Sequence, residues 1–160
     1  MNKPTTTGII AKMIPQERFK LLGEVVTLLM QSKLHCSSYV LDIYNHILPP
    51  IDHNQFRIYR KGVYPVGFVS WAFLTKEKAE SYLKGEYSVK IDDWNCGDNM
   101  IYTDFIAPFG DMRAIAKDLT HNIFPDTISR SVKVSKKGKI DSVKTFYGKN
   151  VKFNKTTHNL

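Results

Sequence analysis

Three residues of this chain stand out, by type and setting, as able to move a proton or an acyl group: His35, Asp104 and Cys36. His35 lies in Gln31-Ser-Lys-Leu-His-Cys, just past an apolar-periodic segment, where a side chain can reach a cleft. An imidazole titrates near pH 6.5, so it can serve as a general base at neutral pH. Asp104 interrupts an apolar run, Ile101-Tyr-Thr-Asp-Phe-Ile-Ala. A carboxylate there is costly unless it is paired or hydrogen-bonded. It therefore reads either as a structural hydrogen-bond acceptor or as a site carboxylate. Cys36, beside His35, reads either as a thiolate that carries an acyl group or as a small buried side chain. His46 ends a helical segment, His53 sits in a Pro-rich loop, His121 lies on a helix and His158 is near the C-terminus. There is no Gly-x-Ser-x-Gly elbow, Walker motif, dinucleotide fingerprint or His-Glu-x-x-His, and no metal site is expected.

The elements that must position these groups follow from periodicity. Pro15 to Gln31 predicts a helix, with Phe19, Leu22, Val25, Val26 and Leu29 at helical spacing and Pro15 in its first turn. Ser37 or Ser38 is positioned to cap a second helix from Tyr39 to about Leu48, which Pro49-Pro50 should stop. Gln55 to Arg60 and Val66 to Leu74 predict a hairpin around Lys61-Gly62. Thr75 caps a helix from Lys76 to Lys84, closed by Gly85. Asp92 to Asn99 reads as an acidic loop and Met100 to Ile106 as a strand. Asp111 is expected to cap a helix to about Phe124, with Ile115, Leu119 and Ile123 on its apolar face and Pro125 ending it. Ile128 to Val134 and Ile140 to Tyr147 form a last hairpin. The order α-α-β-β-α-β-α-β-β predicts an α+β domain, a mostly antiparallel sheet with flanking helices. One domain over 1–148 and a basic mobile tail over 149–160 are expected.

The charge is placed unevenly. From Arg130 to Leu160 nine basic residues face one acid, Asp141, so that stretch carries the whole net charge of +8. Such a patch attracts an acidic partner, or merely solvates an edge. A basic nucleic-acid or anionic-lipid module, with Tyr147 and Phe153 as stacking groups, is the rival reading, but no Arg-rich recognition helix or RNA-binding aromatic motif supports it. No apolar stretch approaches the roughly 20 residues of a membrane span, and Met1 to Thr7 lacks a secretory apolar core. A cytoplasmic protein with two free thiols, Cys36 and Cys96, is expected.

Tyr102-Thr-Asp-Phe-Ile-Ala-Pro-Phe-Gly-Asp111 is the most distinctive stretch. With Leu34-His35, Tyr64-Pro-Val, Ser70-Trp71-Ala72, Asp93-Trp94, Gly97-Asp98 and Phe124-Pro125-Asp126, it resembles the lysine acyltransferases that activate repeats-in-toxin (RTX) cytolysins, notably those of the Pasteurellaceae. The resemblance spans roughly residues 23–148. It implies a fold similar to the Gcn5-related N-acetyltransferases and a homodimer. It also implies transfer of a fatty acyl chain from acyl carrier protein, as co-substrate, to internal lysines of an RTX protoxin, with no bound cofactor. The family's histidine and aspartate fall on His35 and Asp104, and a serine of lesser weight falls on Ser32. The two cysteines lie outside the pattern, which argues against a thioester on Cys36. Backbone N–H groups near Gly110, Asp111 and Met112 are expected to hold the thioester oxygen. Lys136, Lys137 and Lys139 are expected to dock the acidic carrier protein.

Overall fold

The computed structural model describes residues 16–135 and 137–152. Helix α1 (Gln16–Gln31) buries Val25, Leu28 and Leu29, with Leu21 and Leu22 partly covered. Each such aliphatic side chain contributes about 1.5–3 kcal/mol on burial. Phe19, expected on that face, is 50% exposed instead. The core-facing stripe runs one position further round the helix.

The second helical segment differs from expectation at both ends. It begins at α2 (Val40–Asp42), where the Asp42 carboxylate accepts from the Tyr39 backbone N–H at 2.7 Å, so neither Ser37 nor Ser38 is the cap. It then passes through a π-helical turn (Ile43–Ile47) and runs on as α3 (Leu48–Asp52), straight through the two prolines. Proline rings clash with the carbonyl four residues back in a regular α-helix. The wider π turn, in which the Leu48 N–H reaches the Ile43 carbonyl, relieves that clash.

Strands β1 (Phe56–Lys61) and β2 (Tyr64–Leu74) form the expected hairpin, with Gly62 in the left-handed region its tight turn requires. Helix α4 (Lys76–Lys84) is capped by Thr75, which accepts from the Lys78 N–H, and is closed by Gly85. A 3-10 turn (Ile91–Asp93) leads to β3 (Asn99–Ile106). Helix α5 (Met112–Asp118) continues into a second π turn (Leu119–Ile123), then β4 (Ile128–Val134) and β5 (Ile140–Tyr147) end the sheet. The expected Asp111 side-chain cap is absent, because its carboxylate turns to Lys61 at 2.8 Å.

The five strands lie in sequence order. All neighbours are antiparallel except β3 and β4, which the α5 crossover makes parallel. The domain is α+β. One face of the sheet (Phe68, Ala72, Leu74, Ile101, Ile106) packs on α1, α3 and α4, and the other (Val69, Trp71, Met100, Tyr102) on Ile115 and Leu119 of α5 and its π turn. The chain is also held past 148: Lys149 and Asn150 donate their backbone N–H groups to the Thr120 and Pro125 carbonyls. These first residues of the expected tail are therefore part of the folded body.

Gly97 sits where a Cβ would overlap the backbone of Leu74 and Thr75. Backbone cannot swing aside as a side chain can. Gly97→Ala should therefore cost about 1–3 kcal/mol, read as a lower urea midpoint at unchanged slope. A midpoint equal to wild type would show that the loop yields freely.

Candidate active site

His35 is held by a turn that follows α1. The backbone N–H groups of His35 and Cys36 bond the Ser32 carbonyl at 3.0 and 2.9 Å, and Ser38 N–H bonds the His35 carbonyl at 3.0 Å. The ring itself is anchored by Ser32, whose Oγ lies 2.7 Å from Nδ1. With one nitrogen so engaged, Nε2 is the nitrogen left to do chemistry.

Asp104 reaches the same cleft by way of a β-bulge. On β2, Ser70 pairs with Asp104 but Trp71 pairs with Tyr102, so Thr103 is an extra residue on β3. Without it, strict alternation would put Asp104 on the α5 face beside Tyr102. The bulge turns it to the opposite face, toward α1 and the first π turn. There the Asp104 carboxylate accepts from Ser70 Oγ at 2.9 Å, and Ser70 Oγ lies 2.8 Å from Thr103 Oγ1. The bulge also marks where β3 and β4 part, since their pairing covers only Met100–Tyr102 with Ser129–Ser131.

Leu29, His35, Ser38, Asp42, Ile43, His46, Ile47 and Asp104 enclose a cleft of about 190 Å³. Burial pushes the Asp104 carboxyl up from its ordinary range, opposed by the Ser70 hydroxyl and by the positive ends of His35 and His46. Burial likewise lowers the His35 imidazole, and Asp104 partly offsets this. The two groups line one cleft, His35 bonded to Ser32 and Asp104 to Ser70. The hydrogen bond to the imidazole comes from Ser32.

The other expected site residues lie elsewhere. Gly110 (φ 93°), Asp111 and Met112 are at the start of α5, on the opposite face of the sheet from Asp104. Asp111 lines a different cleft with Arg57, Arg60 and Lys61. None of Gly110, Asp111 and Met112 lines the cleft that holds His35 and Asp104. Cys36 is exposed and points its Sγ to the Lys33 carbonyl, while Cys96 is half-buried, and both are free thiols. Lys137 and Lys139 stand exposed in the β4–β5 turn; Lys136 lies outside the described residues.

Sequence reasoning missed Ser70, Thr103, His46 and Tyr82. Tyr82 on α4 is pushed well above its usual range by burial and by Asp104, and its hydroxyl points to the Thr103 carbonyl at 3.5 Å. Ser70 carried the same signal as Asp104, a polar residue inside an apolar strand, but its partner could be known only from the register. Several distinctive residues instead hold the scaffold. Trp94 is fully buried, and Asp93 accepts from Lys78 Nζ and Tyr87 Oη, both at 2.5 Å.

Comparison with known proteins places this chain in a class. The chain is 35% identical over 130 residues to the RTX-I toxin-activating lysine-acyltransferase ApxIC of Actinobacillus pleuropneumoniae, covering 81% of this chain and 75% of that one. It is 36% identical over 129 residues to the protein-lysine myristoyltransferase HlyC of Escherichia coli, with the same coverage of 81% and 75%. An uncharacterised Synechocystis protein, sll0720, is 36% identical over 137 residues, 84% of this chain and 93% of the other. The protein is an acyltransferase. It belongs to the RTX toxin acyltransferase family, whose profile matches residues 14–147.

Proposed function

We propose that this enzyme transfers a fatty acyl chain from acyl carrier protein to internal lysine ε-amino groups of an RTX protoxin, and so activates the toxin. The observation that carries the reading is the single cleft of about 190 Å³ that both Ser32-anchored His35 and Asp104 line. A lysine amine has a pKa of about 10.4, so only roughly one in 2,500 is neutral at pH 7, a cost on the order of 4.6 kcal/mol. Asp104 holds and aligns the incoming ammonium. His35, in the tautomer whose Nδ1–H donates to Ser32, takes its proton on Nε2. The amine then attacks the thioester carbonyl, the C–N bond forms and the C–S bond breaks. The imidazolium returns a proton to the departing thiolate, and one net proton leaves to solvent.

The donor's thioester arm enters where β3 and β4 part beside the bulge, in a fold similar to the Gcn5-related N-acetyltransferases. Because the two strands are parallel, β4 beyond Ser131 runs toward the same end of the sheet as Asp104. Its turn therefore sets Lys137 and Lys139 at that end, within reach of an acidic carrier protein. Lys136 belongs to the same run of lysines. Lys137→Glu combined with Lys139→Glu should raise the KM for acyl carrier protein by on the order of tenfold at low salt, leave kcat near wild type, and flatten the salt dependence. Unchanged KM and salt response would remove the hairpin from donor docking. The protein works in the cytoplasm as a homodimer, with the exposed Tyr39, Val40, Leu41 and Tyr44 as the apolar surface a second copy would cover.

The test of the function is direct. Purified protein is incubated with labelled long-chain acyl carrier protein and a lysine-bearing fragment of the cognate toxin, and modified sites are mapped by mass spectrometry. Amide-linked acyl groups on specific lysines are expected. A folded enzyme that transfers nothing to a verified fragment would sink the proposal.

A further inference from the structure

We infer that the extended segment Glu86–Lys90 is the docking edge for the acceptor polypeptide, which adds to it as a β-strand and so delivers its lysine past His46 into the catalytic cleft. The inference rests on the function proposed above and names the acceptor's site.

A second groove, about 680 Å³, runs beside the cleft, lined by Asn45, His46 and residues 86–91. His46 belongs to both walls, so the groove and the His35–Asp104 cleft are neighbours across one side chain. The cleft itself is too small for a polypeptide, but it suits the end of one long side chain. A lysine's flexible four-carbon stem lets the backbone stay outside while the amine enters.

The segment has the in-and-out burial alternation of a strand without a partner. Tyr87 and Val89 turn inward, Val89 into the core with Leu83 and Trp94, while Glu86, Ser88 and Lys90 face solvent. This is the period of two expected of extended chain, and Lys90 has extended backbone angles of φ −80° and ψ 157°. Yet the segment belongs to no strand of the sheet. Among the described residues, the backbone groups of Tyr87, Ser88 and Val89 make no hydrogen bond, whereas Glu86 and Lys90 at its ends do. Unpaired N–H and C=O groups on an extended segment offer a template for one more strand.

The segment is also pinned. Tyr87 Oη donates to Asp93 at 2.5 Å, Lys78 holds the same carboxylate, and the Lys90 N–H reaches back to Tyr87 Oη at 3.4 Å. A rigid edge pays little ordering entropy on binding. Recognition is mainly through backbone, with Ile91, 43% exposed, offering an apolar contact at the groove's end.

The test compares a lysine-bearing acceptor polypeptide with a small amine acceptor, N-acetyl-lysine amide, using the same acyl donor. Ser88→Pro removes one of the N–H groups that make no hydrogen bond among the described residues. Its preference for the polypeptide over the small amine should fall about tenfold or more, through KM rather than kcat. In parallel, acceptor peptides N-methylated on alternate backbone amides flanking the lysine should show raised KM with the wild-type enzyme, and peptides methylated on the intervening amides should not. This second arm holds even if Ser88→Pro fails to fold. Equal KM for all the methylated peptides, or an unchanged preference in folded Ser88→Pro, would overturn the docking edge. A wild-type enzyme that acylates neither acceptor would overturn the acyltransfer reading itself, and the docking site with it.

Discussion

Asp104→Asn is expected to yield a protein more stable than wild type and nearly inactive. Asn keeps the size of the side chain and its bond to Ser70, but removes the charge. Burial is the largest influence on the Asp104 carboxyl and raises its pKa, against the opposing pull of the Ser70 hydroxyl, His35, His46 and Thr103. A raised pKa means that the fold favours the protonated form. The carboxyl's contribution to stability is therefore full below its unfolded value, near 3.9, and is lost as pH rises through the higher folded value. Relief of about 1 kcal/mol at pH 7–8 corresponds to a melting temperature higher by about 2–4 °C. The gap between variant and wild type should close as pH falls toward about 4, where the wild-type carboxyl is protonated in both states. Acyl transfer should meanwhile drop by about 10²–10⁴-fold, since the amine loses the charge that aligns it. Such a trade of stability for activity is a mark of a working site. Turnover within a few-fold of wild type, or a lower melting temperature across the whole pH range, would leave Asp104 as a structural residue.

His35→Ala should remove a comparable 10²–10⁴-fold from kcat without unfolding the protein. The site is half-buried, and the turn around it is held by backbone bonds that alanine retains. Burial lowers the wild-type imidazole below its ordinary 6.5, with Asp104 pulling it back up by less. A base works only when deprotonated, so activity should climb with pH through a point below 6.5 and be level by neutral pH. In Asp104→Asn the pull toward the imidazolium is gone, so the acid limb of the remaining activity should move to still lower pH. Added imidazole should restore part of the His35→Ala rate, because the vacated space opens onto the cleft of about 190 Å³. A pH profile for His35→Ala with the same acid limb as wild type would assign that limb to another group and His35 to a supporting role.

The reach of sequence reasoning differed between elements for physical reasons. Helix α4 could be placed to the residue, because Thr75 and Gly85 satisfy its ends with local chemistry. The second helical segment could not. Its passage through Pro49-Pro50 depends on a π turn, and Ile47 and Ile51 are drawn into the core with Val25 and Phe68. That packing outweighs a local stop signal. The Asp111 cap failed for a similar reason: Lys61, fifty residues away in sequence, competes for the carboxylate.

His35 and Asp104 stood out as candidates from their types and settings, and the resemblance to a family singled them out; the α+β order of elements was legible directly. These readings were open to sequence because residue chemistry, helix caps and hydrophobic period are local properties. Which face Asp104 occupies was decided only by tertiary structure, since one extra residue at Thr103 inverts the alternation, and a bulge is defined by the partner strand. The same is true of Ser70 and His46, which reach the carboxylate's surroundings from other elements. It is true also of Gly110–Met112, which the crossover carries to the far side of the sheet. Register, face and long-range pairing are set by burial summed over the whole chain, and no local window of sequence contains that sum.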